Sequence, residues 1–372
     1  MSIILPPSAS SLPERLARVR KSMQAEDLAA LVSFGHADCR YLTGFTGEAA
    51  SVVVTMDDLI LVTDSRFTVQ AAEEAPAVRL ALALEHQDDR LPGLLRDAVG
   101  GVERVGIDGD HLTLKRWERL RQSLSEEPEV AFTVTSELVS RCRMVKFPDE
   151  LAALRAAGTL VTEAFAYLEK TAVVGRSEQG VALDLEFYLR ERGSEGVPFP
   201  FIVAAGARAA MPHGEASDAL IQRDQLVVVD IGATVAGYAS DMTRTYATGV
   251  LSGELAEVYR VVQAAQTRAR SGIRAGISGR DLDGMARGVM EEAGKADLFL
   301  HSLGHGVGLE VHEGPRLSTR SEDILSEAMV VTIEPGAYLT GLGGVRIEDT
   351  VVVTAEGAEV LTEWPRDLKL LG

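Results

Sequence analysis

The chain has 372 residues, 46% hydrophobic and 25% charged, an ordinary balance for a soluble globular protein with room for two domains and a sizeable core. Its formal charge of −18 repels nucleic acid and anionic membranes, which argues against both as partners. Two cysteines, Cys39 and Cys142, make neither a disulfide framework nor a zinc ribbon and read as reduced thiols of a cytoplasmic protein.

Met1 to Pro7 has no basic stretch and only a short apolar run, unlike a signal peptide. No apolar run reaches the roughly 18 residues of a membrane span. Ser11-Leu12-Pro13-Glu14 has the form of a capping box, and Leu16, Val19 and Met23 recur behind it at helical spacing. Short apolar strands are expected at 29–34, 51–55, 59–62, 78–83 and 104–107, with helical stretches between Ala71 and Leu120. This describes an α/β domain over residues 1–143. His36, His86 and His111 fall in it and are explained by surface or loop positions; His36 could also approach a partner subunit's active site.

The second domain, 144–372, opens at Pro148-Asp149-Glu150, with proline and acids in a helix's first turn. A long helix follows, then one over 177–192, and Ser252 and Ser278 start two more. Strands are expected at 199–205, 226–231, 237–246, 329–334 and 344–353, several of them antiparallel.

Two pairs of these strands match. Leu226-Val-Val-Val-Asp230-Ile-Gly232 resembles Met329-Val-Val-Thr-Ile-Glu334-Pro-Gly336, an apolar strand ending in a carboxylate with glycine two residues on. Gly237-Tyr-Ala-Ser-Asp241-Met-Thr243 resembles Gly344-Val-Arg-Ile-Glu348-Asp-Thr350, with glycine four before the acid and threonine two after it. Two antiparallel hairpins with two acids each suggest a duplicated half-domain about a pseudo-two-fold axis. Residues two apart share a strand face, so Thr243 should flank Asp241, and Arg346 and Thr350 should flank Glu348. Buried acids at this density cannot all ionise without a cation.

His301 to Pro315 holds three of the seven histidines, His301, His305 and His312, with glycines at 304, 306 and 308. The glycines argue against a helix and suggest a loop whose backbone passes close to a bound ion or peptide. With His305 added, four carboxylates and one imidazole form an oxygen-rich set. It favours Mn²⁺, with Co²⁺, Fe²⁺ or Zn²⁺ possible, over a thiolate zinc site. Two ions sharing carboxylates fit five ligands better than one.

Asp230, Asp241, His305, Glu334 and Glu348, in this order and setting, resemble the metal set of the pita-bread metallopeptidases, which include methionine aminopeptidase, aminopeptidase P and prolidase. Tyr41-Leu-Thr-Gly-Phe-Thr-Gly47 and Thr63-Asp-Ser-Arg-Phe67 resemble the creatinase-like N-terminal domain of Xaa-Pro peptidases. Arg141–Glu150, Met211–Ser217, Glu334–Tyr338 and Gly344–Asp349 extend the likeness over nearly the whole chain. The fold it implies is α/β: a creatinase-like N-terminal domain plus a C-terminal pita-bread domain with a duplicated antiparallel sheet and helices.

By that resemblance Asp230 would chelate one ion, Asp241 and Glu348 would bridge or share the pair, and His305 and Glu334 would hold the other. Glu334 would also shuttle a proton. His213 would bind the proline side of the substrate and His312 would donate to the developing oxyanion. His301 matches a further pocket histidine. Arg346 and Tyr338 match a pair supporting the first ion's carboxylate, and Thr243 a neighbour of the ligands. The expected protein is a cytoplasmic, homodimeric Xaa-Pro metallopeptidase with two Mn²⁺-like ions. Its compact N-terminal domain favours a prolidase acting on dipeptides over an aminopeptidase P acting on longer peptides. Creatinase, without metals, and methionine aminopeptidase, without such an N-terminal domain, fit less well. A non-enzymatic pita-bread binding protein is the remote alternative, since such relatives lose ligands that are all present here.

Overall fold

A computed structural model describes residues 11–83, 90–98, 104–124 and 131–372. His86 and the segment Met1–Pro7, on which two expectations bear, lie outside the described residues. The chain forms two compact units that part between Arg143 and Met144.

The first unit begins with α1 (Leu12–Ala25), which buries Val19 and Met23. Ser11 makes no side-chain bond to the helix start, so the expected capping box does not form; Pro13 lies within the first turn, where its missing N–H costs no helix bond. There follow β1 (Ala30–Ser33), α2 (His36–Thr43), β2 (Ala50–Thr55), β3 (Leu59–Asp64), α3 (Thr68–Glu74), β4 (Arg79–Ala83), α4 (Leu91–Ala98), β5 (Arg104–Asp108), α5 (Leu114–Leu124), β6 (Ala131–Thr135) and α6 (Leu138–Met144). They build one six-stranded sheet in the order β4-β3-β2-β1-β5-β6. β1 to β3 pair antiparallel and the other neighbours parallel. Every residue of β1 and β2 is buried, as in strands covered on both faces. Sequence patterns do not announce α2 or β6. α2 is buried nearly all round and shows no amphipathic stripe, while β6 buries only Thr135. His36 is exposed at the start of α2. His111 is more than a loop histidine, its Nδ1 lying 2.9 Å from Asp108 Oδ2.

The second unit contains α7 (Pro148–Leu168), α8 (Glu178–Glu191), β7 (Ile202–Ala205), β8 (Leu226–Ile231), β9 (Thr234–Val235), β10 (Tyr238–Ala239), β11 (Met242–Ala247), α9 (Gly253–Gly272), α10 (Gly279–Glu292), β12 (Gly304–Gly306), β13 (Glu313–Leu317), β14 (Val330–Ile333), β15 (Gly336–Leu339), β16 (Gly343–Arg346), β17 (Asp349–Val353) and β18 (Ala358–Val360). Ser177, Ser252 and Ser278 each accept a bond from the backbone N–H three residues on, capping α8, α9 and α10. By length and composition α7 could cross a membrane. Arg155 and Glu163 interrupt it, however, and Leu154, Val161, Phe165 and Leu168 are buried in the unit's core. It serves as a core helix.

β11-β8-β7 form a three-stranded sheet and β13-β12-β14-β17-β18 a five-stranded one, with β9/β10 and β15/β16 as small hairpins. The runs β8 to β11 and β14 to β17 thus share one plan: a buried strand, a hairpin, and an antiparallel return strand. The segments 237–246 and 344–353, each expected as a single strand, are broken before Met242 and before Asp349. Asp241 and Glu348 occupy these matching breaks, where the chain leaves the pleat and a side chain can leave its alternation. The halves are stitched together beside them: Glu348 N–H donates to the Thr243 carbonyl at 3.1 Å, and Thr245 Oγ1 to the Arg346 carbonyl at 2.9 Å.

Candidate metal centre

Asp230 comes from β8, Asp241 and Glu348 from the two strand breaks, His305 from β12, and Glu334 from the residue after β14. Side-chain atoms of Asp241, His305 and Glu348 all lie within 4.8 Å of one another. His305 Nε2 stands 3.2 Å from Glu334 Oε1 and 3.7 Å from Asp241 Oδ2. The charge of Asp230 acts on both Asp241 and Glu348. The five residues are therefore gathered at one place.

Their neighbours orient them. Arg346 Nη2 donates to Asp230 Oδ2 at 2.6 Å, Nε to Thr243 Oγ1 at 3.0 Å and Nη1 to the Tyr338 hydroxyl at 2.9 Å. Tyr338 donates onward to His301 Nε2 at 2.9 Å, since His301 Nδ1–H is engaged with the Ser302 carbonyl at 2.8 Å. His301 thus ends a chain reaching back to Asp230. The two threonines serve the opposite half from the one the spacing suggested. Thr243 Oγ1 donates to Glu348 Oε2 at 2.7 Å, and Thr350 Oγ1 to the Asp241 carbonyl at 2.7 Å.

The glycines beside His305 serve the sheet. β12 is a strand between β13 and β14 rather than a loop. A Cβ on Gly304 would overlap the Thr332 carbonyl, and one on Gly306 the Gly314 carbonyl. Glycine lets the neighbouring strands close on β12, which carries His305. His305 Nδ1–H donates to its neighbour's carbonyl, Gly306 O, at 3.1 Å, which turns Nε2 toward the carboxylates; there it donates to Glu334 while protonated, and becomes a ligand atom once that proton is displaced.

His312 is exposed, its ring centroid 4.3 Å from that of His305. Burial, and then the His305 charge, hold its pKa below the ordinary value. His213 is exposed on the segment after β7, close enough for its charge to lower His301 and His312. Sequence reading does not single out Arg244 and Asp349, although each lies near a candidate ligand. Arg244 Nη2 donates to Asp349 Oδ1 at 2.7 Å, and Nη1 donates to the Glu348 carbonyl. Gln266 and Arg366 donate to Asp349 Oδ2, both at 2.6 Å. The complementary charges of T-R-T and E-D are the only signal, and no local spacing pairs them.

Electrostatics test whether a cation fits. Burial, then the charges of neighbouring acids, push Asp241 and Glu348 well above the usual carboxylate range. Burial also pushes Glu334 up, but the hydrogen bond and charge of His305 outweigh it and hold Glu334 at about 2. Asp230 Oδ1 and Glu348 Oε1 are buried, with no hydrogen-bond partner among the described residues. Each such orphan costs about 1–3 kcal/mol. Two unpartnered carboxylate oxygens beside an imidazole nitrogen that can give up its proton suit divalent cations in an oxygen-rich site.

Residues 152–355 match metallopeptidase family M24, and residues 15–145 match the creatinase/prolidase N-terminal domain. An Xaa-Pro dipeptidase of Pyrococcus furiosus is 39% identical over 267 residues, 72% of this chain and 76% of its own. The solved structure of an Xaa-Pro dipeptidase from Bacillus anthracis aligns with a TM-score of 0.92 at 36% identity, covering 97% of this chain and all of its own. An X-Pro aminopeptidase from Thermotoga maritima aligns with a TM-score of 0.87 at 35% identity, covering 95% of this chain and 99% of its own. The α/β fold is thus the expected one, a creatinase-type N-terminal domain and a pita-bread domain. The chain belongs to metallopeptidase family M24.

Proposed function

We propose that the protein hydrolyses Xaa-Pro dipeptides with two divalent ions, Mn²⁺ first and Co²⁺, Fe²⁺ or Zn²⁺ as alternatives. The observation carrying this reading is the set of four carboxylates, three of them buried, around His305 Nε2; two of the carboxylate oxygens lack partners among the described residues. Its likeness to two Xaa-Pro dipeptidases supports the substrate class. Asp230, Asp241, His305, Glu334 and Glu348 would hold the ions. When bound, these polarise the scissile carbonyl and lower the pKa of water.

The chain's own residues account for the protons. Hydrolysis adds hydroxyl to the carbonyl carbon and a proton to the proline nitrogen, which has no N–H in the intact peptide. Glu334, whose Oε1 stands 3.2 Å from His305 Nε2 in the same centre, would take up the first proton and pass it to the departing nitrogen. His312, exposed beside His305, donates to the developing oxyanion. His213 receives the proline side. Arg346 and Tyr338 keep Asp230 aimed, and His301 holds the Tyr338 hydroxyl.

The free, buried Cys39 and Cys142 favour a reducing, cytoplasmic setting, and the family resemblance favours a homodimer. Release of the first residue from longer Xaa-Pro peptides is the second reading, favoured by the likeness to the Thermotoga maritima enzyme. An assay of an Xaa-Pro dipeptide beside an Xaa-Pro-Pro tripeptide, both with Mn²⁺, tests the choice. Dipeptide cleavage supports the first reading, tripeptide cleavage alone replaces it with the second, and cleavage of neither refutes both.

A further inference from the structure

Glu178, the first residue of α8, is fully buried, yet its carboxylate serves a distant segment. Oε1 accepts from Ala205 N–H at 2.8 Å. Oε2 accepts from Arg208 Nε at 2.9 Å, Ser217 N–H at 3.1 Å and Ser217 Oγ at 2.7 Å. Arg208 Nη2 continues to the Glu215 carbonyl at 2.7 Å. One carboxylate therefore fastens residues 205, 208 and 217, closing the intervening chain into a compact loop. His213 lies within it. On the other side, Arg346 Nη1 donates to the Pro212 carbonyl at 3.1 Å. The loop is thus held between the arginine that aims Asp230 and a buried acid outside the candidate ligand set.

We propose that Glu178 is the positioning residue for this loop: it fixes where His213 meets the proline side of the substrate and leaves the metal chemistry alone. This rests on the reading of His213 given above. A carboxylate is suited to the task because it accepts several bonds at once, some charge-assisted. An amide in its place offers one acceptor oxygen and turns an N–H₂ toward donors, leaving buried groups unpaired.

The test uses the full-length, Mn²⁺-loaded protein with Glu178→Gln, and with the milder Ser217→Ala should the first not fold. The dipeptide Ala-Pro is the substrate and trypsin probes the bond after Arg208. The expected result is a KM raised about tenfold in Glu178→Gln (~1.4 kcal/mol) and less in Ser217→Ala. kcat should stay within about twofold, bound metal should be unchanged, and cleavage after Arg208 should be faster. A fall in kcat or bound metal with KM unchanged would overturn the proposal, as would wild-type KM and tryptic resistance in a folded variant. Trypsin reads the loop without a substrate. Wild-type protein inactive on Ala-Pro would therefore refute the substrate reading while the clamp was still judged by cleavage.

Discussion

Arg346 Nη2 donates to Asp230 Oδ2 at 2.6 Å, while Oδ1 of the same carboxylate is buried and unpartnered. Glu348 is divided in the same way, with Oε2 held by Thr243 and Oε1 left over. In each half the protein fixes one oxygen and presents the other. Neutralising the director should therefore weaken the site: Arg346→Met is expected to lower Mn²⁺ affinity on the order of 10-fold to 100-fold. Arg346→Lys should recover little, because an ammonium cannot reproduce the guanidinium's fork to Asp230, Thr243 and Tyr338. Titration of metal-free protein measures this, and wild-type affinity in Arg346→Met would contradict the role.

Glu334 and His312 should separate in their effects. Glu334→Gln removes a charge that faces His305 at 3.2 Å and the group assigned to proton transfer, so turnover should vanish and metal binding weaken. His312→Ala should cut kcat roughly 100-fold or more, within the range of acid–base contributions, with bound metal nearly unchanged. Steady-state kinetics with metal analysis on the same samples checks both. Loss of metal in His312→Ala would make it a ligand instead.

Metal-free protein should lose stability as pH rises from mild acid. Asp241 and Glu348, raised by burial and by neighbouring acids, keep protons in the folded state that the unfolded chain releases from about pH 4 upward. Unfolding is then favoured progressively as pH climbs toward their raised values. Burial lowers His305, but Glu334 brings it above its ordinary value, so its contribution is likewise lost as pH rises through the folded pKa. Glu334, held at about 2, works the other way, and its contribution fades only as pH falls from about 4 toward 2. Melting curves from pH 4 to 8 should show Tm falling without metal and the fall suppressed by saturating Mn²⁺. A metal-free Tm that rose throughout would contradict the burial of these acids.

Gly306→Ala tests the strand role of the glycines. The added methyl meets the Gly314 backbone, which cannot give way as a flexible side chain would. Destabilisation of about 1–3 kcal/mol or more is expected, with metal affinity reduced because β12 carries His305. Thermal melts and metal titration would show both, and a neutral outcome would restore the loop reading.

The four acidic candidate ligands are legible because each ends or interrupts an apolar strand and the two frames repeat, and His305 because three histidines gather in one glycine-rich stretch. The breaks that hold Asp241 and Glu348 are not, since β-branched residues follow closely in both segments and neither Pro nor Gly marks the break itself. β12 is hidden because Gly304 and Gly306 offer no apolar pattern and serve close strand approach. Alternation puts Thr243 beside Asp241, but its hydroxyl reaches Glu348 across the halves, a contact between residues 105 apart in sequence. The Glu178 clamp and the Arg244–Asp349 pair escaped for the same reason: partners that meet only in three dimensions leave no local spacing to read.

The central claim is that Asp230, Asp241, His305, Glu334 and Glu348 together hold the ions that drive hydrolysis. Metal content per chain is its most direct measure, taken by elemental analysis after Mn²⁺ loading and desalting, in the wild type and in Asp241→Asn. The account predicts about two equivalents in the wild type, as for a two-metal site, with most of the metal and all Xaa-Pro hydrolysis lost together in the variant. Full activity without stoichiometric metal, or undiminished metal in Asp241→Asn, would contradict it.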